Sequence, residues 1–272
     1  MLTLIPTPLG NINDITFRTL EVLQNIDVIL CEDTRVTKQL LRLLQERFNV
    51  TFPSFEIISF HEHNQEAKIN SLKEILQTKN VAYLSDAGMP AISDPGQLLV
   101  AFCQEYKIEY DVLPGASVPP LLYAASGFES GKFTFYGFLA KKGKERQEEL
   151  REILNSSFDT IIYEAPHRII KLFEEIVSLD ETREIFAAKE LTKKYQTYLR
   201  GSAKELLEKL KTISTKGEWA LVIKGANSKA QEATLTLAQI EALDIQPKVK
   251  AKLLSKLTGK SVKECYDKLL KK

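Results

Sequence analysis

At 272 residues, 44% of them hydrophobic, the chain can bury two medium-sized cores, and a net charge of +1 excludes a globally basic nucleic-acid binder. No apolar run approaches the roughly 18 residues of a membrane span, and the opening MLTLIPTPLG has neither the basic region nor the cleavage site of a signal peptide, so the reading is a soluble, cytoplasmic protein. Cys31, Cys103 and Cys265 lack CxxC spacing, and His61, His63 and His167 lack an HExxH or Cys/His cluster, which argues against a disulfide framework and against a metal.

Residues 2–5 predict a strand, 6–13 a turn, and Ile15, Thr19, Val22, Leu23 and Ile26 a helix from about residue 14 with Asp14 as its N-cap. The turn holds one glycine and is not the GxGxxG dinucleotide fingerprint. A strand at 28–31 runs into Glu32, Asp33, Thr34 and Arg35 before a helix to about 47. Charged residues at the C-terminal end of a strand are where open α/β sheets bind ligands. A third strand, 57–60, leads into His61, Glu62, His63 and Asn64, then a helix around Ile69, Leu72 and Leu76. The apolar run 81–84 predicts a buried strand, and SDAGMPAISDPG after it is a shaped loop. Pro90 and Pro95 fix φ there, Gly88 and Gly96 admit conformations a side chain forbids, and Asp94 is placed to cap a helix at 97–106. Strand 108–113 ends in Pro114, Gly115, Ala116 and Ser117. This alternation predicts a parallel sheet covered on both faces, with its loops on one rim.

Beyond residue 131 the pattern changes. Residues 132–138 alternate less cleanly, and a charged helix at 144–155 and a strand at 160–163 lead into Glu164, Ala165, Pro166, His167 and Arg168. A helix to 179, strands at 185–188 and 197–200, a helix at 203–211 and a strand at 219–223 follow, predicting a mixed sheet. Residues 224–234 read as a linker, and 237–243, 247–257 and 262–270 as short helices, with Pro247 at a helix start and Gly259 as a stop. From Asp244 onward nine lysines face three acids, a local +6 on a body of −5, which suits contact with a polyanion. The predicted organisation is an N-terminal α/β domain (1–117), a C-terminal α/β domain (118–225) and a basic helical extension (235–272).

The segments TPLGNINDI, CEDTRVT, FHEHN, SDAGMPAISDPG, LPGAS, YEAPHR, ELTK and GEWALVI, in this order across about 1–225, closely resemble the ribosomal RNA small-subunit methyltransferase I family, a class III branch of the tetrapyrrole methylases. The resemblance implies an S-adenosylmethionine-dependent, homodimeric enzyme with the cofactor between two α/β domains, methylating a cytidine 2′-hydroxyl of 16S rRNA in the small ribosomal subunit. It implies cofactor contacts at Pro8, Asp86, Ala87, Gly88, Met89, Ile92, Ala116 and Ser117, with Tyr163 and Ala188 from the second domain. Members commonly carry Glu near position 196, where this chain has Gln196.

Methyl transfer from a sulfonium is an in-line displacement helped chiefly by alignment, so the absence of a metal motif is no objection. Close approach of main chain to a zwitterionic cofactor accounts for Pro8, Gly10, Gly88, Pro90 and Gly115, although each alone also fits turn geometry. A ribose hydroxyl wants an acceptor for its proton. The candidates are Glu32, Asp33, His61, His63, Glu164 and His167, with Glu62 and Asp94 beside them. Arg35, Arg168, Lys189 and Lys193 are candidates for RNA phosphates. The rival readings are a same-fold methylase of a tetrapyrrole or other small molecule and a non-catalytic RNA-binding factor; a phosphotransferase fails for lack of GxxxxGK[ST].

Overall fold

The computed structural model describes residues 1–93, 95–226 and 237–270. The chain divides into two units, Met1–Ala226 and Asn227–Lys272. Among the described residues no helix is long and apolar enough to cross a membrane.

The first unit begins with β1 (Leu2–Ile5), α1 (Phe17–Leu23), β2 (Val28–Cys31), α2 (Thr34–Phe48), β3 (Glu56–Ser59), α3 (Gln65–Lys68), α4 (Lys73–Thr78), β4 (Val81–Leu84), α5 (Gln97–Glu105) and β5 (Tyr110–Val112). Its five strands pair parallel in the order β3-β2-β4-β1-β5. Every residue of β1, β2 and β4 is buried, because successive side chains alternate between two apolar layers. Leu2, Leu4, Val28 and Leu30 enter one with Leu72, Leu99 and Phe102, and Ile5, Ile29, Cys31 and Leu84 the other with Leu23, Leu41 and Leu44. A strand covered on both faces needs just such a continuous apolar run.

A helix that the sequence reading does not contain, α6 (Val118–Ser126), starts directly after Ser117. Pro119 sits in its first turn, where a missing N–H leaves nothing unsatisfied, and Gly127 at φ +64° ends it. Then come β6 (Phe133–Phe138), α7 (Gly143–Asn155), β7 (Asp159–Glu164), α8 (Ile169–Asp180), β8 (Glu184–Lys189), β9 (Thr197–Ser202), α9 (Ala203–Thr212) and β10 (Trp219–Ile223). They form a mixed sheet in the order β6-β7-β10-β8-β9, parallel only between β6 and β7. Ile162, Leu221 and Ile185 pack on one face with Leu150, Leu172 and Leu206; Ile161, Phe186, Ala188 and Ala220 pack on the other with Leu122 and Leu191.

The second unit holds α10 (Leu237–Ala242), α11 (Pro247–Thr258) and α12 (Val262–Leu270) around Ile240, Ala251, Leu254 and Cys265. Gly259, at φ +69°, ends α11 as predicted.

Three local expectations are corrected. Asp14 closes a 3₁₀ turn, and α1 starts three residues later with Thr16 as its cap, the Thr16 hydroxyl accepting from the Thr19 amide at 3.1 Å. α5 is preceded by Gly96 without a side-chain cap, and the predicted cap, Asp94, lies outside the described residues. β3 ends at Ser59 rather than Phe60: Phe60 is fully buried and its amide donates to the Cys31 carbonyl at 2.7 Å, beyond the last paired residue.

Candidate active site

The turn after β1 and the loop after β4 lie together because β1 and β4 are parallel neighbours. They are joined by main chain. The Thr7 amide donates to the Gly88 carbonyl (2.9 Å) and the Gly88 amide to the Thr7 carbonyl (3.0 Å). The Thr7 hydroxyl donates to the Ser85 carbonyl (3.1 Å), and the Ser85 hydroxyl to the Gly88 carbonyl (2.9 Å). Gly88 has φ +83°, and a Cβ there would come within 2.9 Å of Leu9 and 3.7 Å of the Ala116 carbonyl. Only glycine satisfies both demands at this position.

These turns form one side of a cavity of about 420 Å³. Leu9, Ala87, Gly88, Met89, Ile92 and Ser93 come from the first sheet's rim, and Ser117, Val118 and Pro119 from the start of α6. The other side is built by the second sheet: Phe138 at the end of β6, Tyr163 and Glu164 of β7 with Ala165 and Pro166, Ala188 of β8 with Leu191, and Glu218, Trp219 and Ala220 at β10. Trp219 is anchored by its indole N–H donating to the Thr215 carbonyl at 2.8 Å.

Glu164 is fully buried and stands between two guanidiniums. Arg146 Nη2 donates to its Oε2 (2.9 Å), and Arg168 Nη2 reaches Oε1 (2.6 Å), which also accepts from the Ala165 amide (2.8 Å). Arg146, only 2% exposed, also pairs with Glu175 through Nε (2.8 Å) and donates to the Ala140 carbonyl. Its guanidinium is raised above its ordinary range by these two carboxylates, against the lowering effect of burial, which is the largest single influence. Both oxygens of Glu164 are thus committed to holding the wall.

Of the residues assigned from sequence, Ala87, Gly88, Met89, Ile92, Ser117, Tyr163, Ala188 and Glu164 line the cavity. Pro8 and Ala116 adjoin it through Thr7 and the Gly88 contact but are not among its lining residues, and neither is Asp86. The remaining proton-acceptor candidates stand elsewhere. Glu32 and Asp33 follow β2: the Asp33 amide donates to Asp86 (3.2 Å) and the Asp86 amide to Glu32 (3.4 Å). Partial burial raises the Asp86 carboxyl above its ordinary range, with nearby Asp33 adding to it and the Asp33 amide opposing. Asp33 caps α2, and hydrogen bonds from Arg35 hold its carboxyl at about 2. His61 and His63, with ring centroids 6.1 Å apart, follow the edge strand β3; His61 Nε2 meets Asn64 Nδ2 at 3.0 Å. His167 is exposed beyond Pro166.

The cations assigned to RNA are largely engaged within the protein. Arg168 turns inward to Glu164, Arg35 pairs with Asp33, and Lys189 donates to the Ser214 carbonyl at 2.6 Å. Lys193 pairs with Glu218 (3.0 Å) and Glu190 (3.3 Å), and its aliphatic chain fills the space that a side chain at Gly10 would need. In the same ELTK turn, Gln196 Oε1 accepts the Thr192 amide at 2.6 Å, a bond that steadies Glu190 and Thr192 at φ +54° and +66°. The wall residues not singled out from sequence include Val118, Pro119 and Phe138, whereas Leu9 lies within the quoted TPLGNINDI. Leu191 and Trp219 had been quoted within ELTK and GEWALVI, whereas nothing in the sequence marks Phe138.

Residues 1–207 match the family model for tetrapyrrole (corrin/porphyrin) methylases. Among solved structures, a cobalt precorrin-4 methyltransferase superposes with TM-score 0.57 at 19% identity, covering 81% of this chain and 93% of that one. A uroporphyrin III C-methyltransferase from Thermus thermophilus gives TM-score 0.55 at 14% identity, covering 81% and 96%. The fold is therefore that of the class III methyltransferases, and the family match makes the chain an S-adenosylmethionine-dependent methyltransferase. At the level of sequence, a protein of Campylobacter fetus named ribosomal RNA small subunit methyltransferase I is 45% identical over 99% of this chain and 100% of its own length. The proteins of the same name from Helicobacter pylori strain 26695 (42%, over 98% of this chain and 96% of that one) and Thermotoga maritima (37%, over 82% and 98%) agree. The chain belongs to the ribosomal RNA small subunit methyltransferase I family of the tetrapyrrole methylases.

Proposed function

We propose that the chain methylates the 2′-hydroxyl of a cytidine in 16S ribosomal RNA of the small subunit, acting in the cytoplasm as a homodimer. The observation that carries this reading is the end-to-end match to relatives named for small-subunit ribosomal RNA. The cavity supports the chemistry. The main-chain turn Ala87–Gly88–Met89 with Ile92 and Ser117 would hold S-adenosylmethionine from one side, and Tyr163 and Ala188 from the other. Bound there, S-adenosylmethionine supplies a methyl group activated on a sulfonium sulfur.

What the protein adds is position and exclusion of water. The apolar wall of Tyr163, Leu191, Trp219 and Ala220 would displace water from around the bound cofactor, which strengthens the attraction between a positive centre and main-chain carbonyls. The Thr7–Gly88 bridge fixes the turn before any ligand arrives, so little ordering is left to occur on binding. Glu164, bound to Arg146 and Arg168, sets the orientation of the Ala165–Pro166 wall. Contact with RNA is supported by the second unit, where Lys248, Lys252, Lys256, Lys260, Lys263 and Lys268 are exposed.

Incubating the purified protein with methyl-labelled S-adenosylmethionine and small ribosomal subunits or their RNA tests this reading. The expected result is label in 2′-O-methylcytidine after nuclease digestion. Label passing to a porphyrinoid with none to RNA would move the assignment to small-molecule methylation.

A further inference from the structure

Phe138 is 57% exposed although it lines the cavity, and its placement has a structural cause. β6 and β7 run in register up to Phe135 opposite Ile161, but Gly137, not Tyr136, is opposite Ile162. Tyr136 is thus an extra residue, a β-bulge, with Gly137 at φ +81°. The bulge carries Phe138 to the place opposite Tyr163, the two rings 5.4 Å apart and nearly perpendicular; Phe135 packs on the same Tyr163 ring at 5.1 Å.

The next residues hold this corner rigid. Leu139 is 2% exposed in the core, the Ala140 amide donates to Glu149 (2.7 Å), and the Ala140 carbonyl accepts from buried Arg146 (3.2 Å). The chain then emerges as Lys141 and Lys142, both exposed, before Lys144, which pairs with Glu148. Among the described residues neither Lys141 nor Lys142 has an ionic or hydrogen-bonding partner. Their Cα atoms lie within about 11 and 15 Å of that of Phe138 by chain length alone. An immobilised aromatic at a cavity mouth, followed at once by two uncommitted cations, is the combination that binds single-stranded nucleic acid: bases stack and phosphates pair.

We propose that the β6–α7 corner is the docking site for a single-stranded RNA segment, with Phe138 stacking on a base at or beside the acceptor nucleotide and Lys141 and Lys142 meeting its phosphates. This rests on the reading that the substrate is RNA. It also accounts for the buried Arg146, which ties the corner at Ala140 to the cavity wall at Glu164.

Two variants of the full-length protein test the proposal against small-subunit RNA, with S-adenosylmethionine affinity measured in parallel by calorimetry. The double change Lys141→Gln, Lys142→Gln should flatten the plot of log affinity for RNA against log salt by about 1.4, the loss of two phosphate contacts on a single strand, and leave cofactor affinity within about twofold. Phe138→Ala should raise KM for RNA about tenfold relative to wild type, with Phe138→Trp recovering most of it. An unchanged salt slope together with an unchanged KM overturns the proposal. So does a loss for Phe138→Ala that falls on cofactor affinity alone, which would make the ring a cofactor wall. If the wild-type protein methylates no RNA, the reading of function fails and this docking site with it; if wild type is active and the variants match it, only the docking site fails.

Discussion

The two sides of the cavity are built by different means. On the first sheet's side the wall is main chain, a two-way amide bridge between Thr7 and Gly88 reinforced by the Thr7 and Ser85 hydroxyls. On the second sheet's side it is held by side chains, a buried cluster in which Arg146 and Arg168 enclose Glu164 and Arg146 also reaches Glu175. A main-chain wall needs glycine and proline at fixed places and tolerates little in their stead. A side-chain wall depends on complete charge pairing and fails when one member is removed. One side is intolerant of added atoms and the other of lost charge.

That contrast can be broken by mutation, and the largest effect is expected at Arg146. Arg146→Ala leaves buried Glu164 without one of its two guanidiniums and should cost about 3–5 kcal/mol. For a unit of this size that is a fall in Tm of roughly 10 °C, read by calorimetry. Arg146→Met alone and Arg146→Met with Glu164→Gln should both be destabilised, the double change less than the sum of the two single ones although it also deprives Arg168 and Glu175 of a partner; strictly additive losses would mean that the Arg146–Glu164 pairing is not what holds this wall.

Next comes Gly88→Val. It forces a β-branched residue to φ +83° against Leu9, and should lower S-adenosylmethionine affinity at least about tenfold while costing only about 1–3 kcal/mol of stability. Removing residues 227–272 should weaken RNA binding and its salt dependence while leaving cofactor affinity alone. The Thermotoga maritima relative, matched over 98% of its length by 82% of this chain, supports a family fold without a full counterpart of this chain's length.

The smallest effect is at Asp33. Its carboxyl titrates near 2 in the fold against about 3.9 in an unfolded chain, so its charge stabilises the fold fully above pH 4, and that contribution is lost as pH falls through 2. Asp33→Asn keeps the cap and loses the charge. Its small Tm deficit should therefore be present at pH 6 and shrink steadily between pH 4 and pH 2; a deficit independent of pH would assign the effect to packing.

The same contrast explains what could be read from sequence. The parallel sheet was legible because strands buried on both faces, such as VILC and VAYL, are unbroken apolar runs between turn residues. The main-chain wall was legible because Gly88, Pro90 and Gly115 punctuate strand ends. α6 escaped because Val118, Pro119 and Pro120 extend the proline-rich turn before them, and Pro119 reads as a breaker unless its first-turn position is known. The side-chain wall escaped because Arg146, on a charged helix, and Glu175, on the polar face of a mainly apolar one, are distant in sequence and resemble solvent-facing residues. Arg168 was placed among RNA ligands because it follows a strand end on the presumed rim, where its inward turn to Glu164 cannot be read. The bulge that redirects Phe138 falls in the stretch 132–138 whose alternation is less clean, but that irregularity does not say which side chain is redirected or where.

The central claim is that both walls enclose one S-adenosylmethionine. Calorimetric titration of S-adenosylmethionine into Gly88→Val from the first wall and Ala188→Val from the second, each checked for folding by circular dichroism, tests it most directly. Both folded variants are expected to bind at least about tenfold more weakly than wild type. Wild-type affinity in either one would contradict a shared cavity.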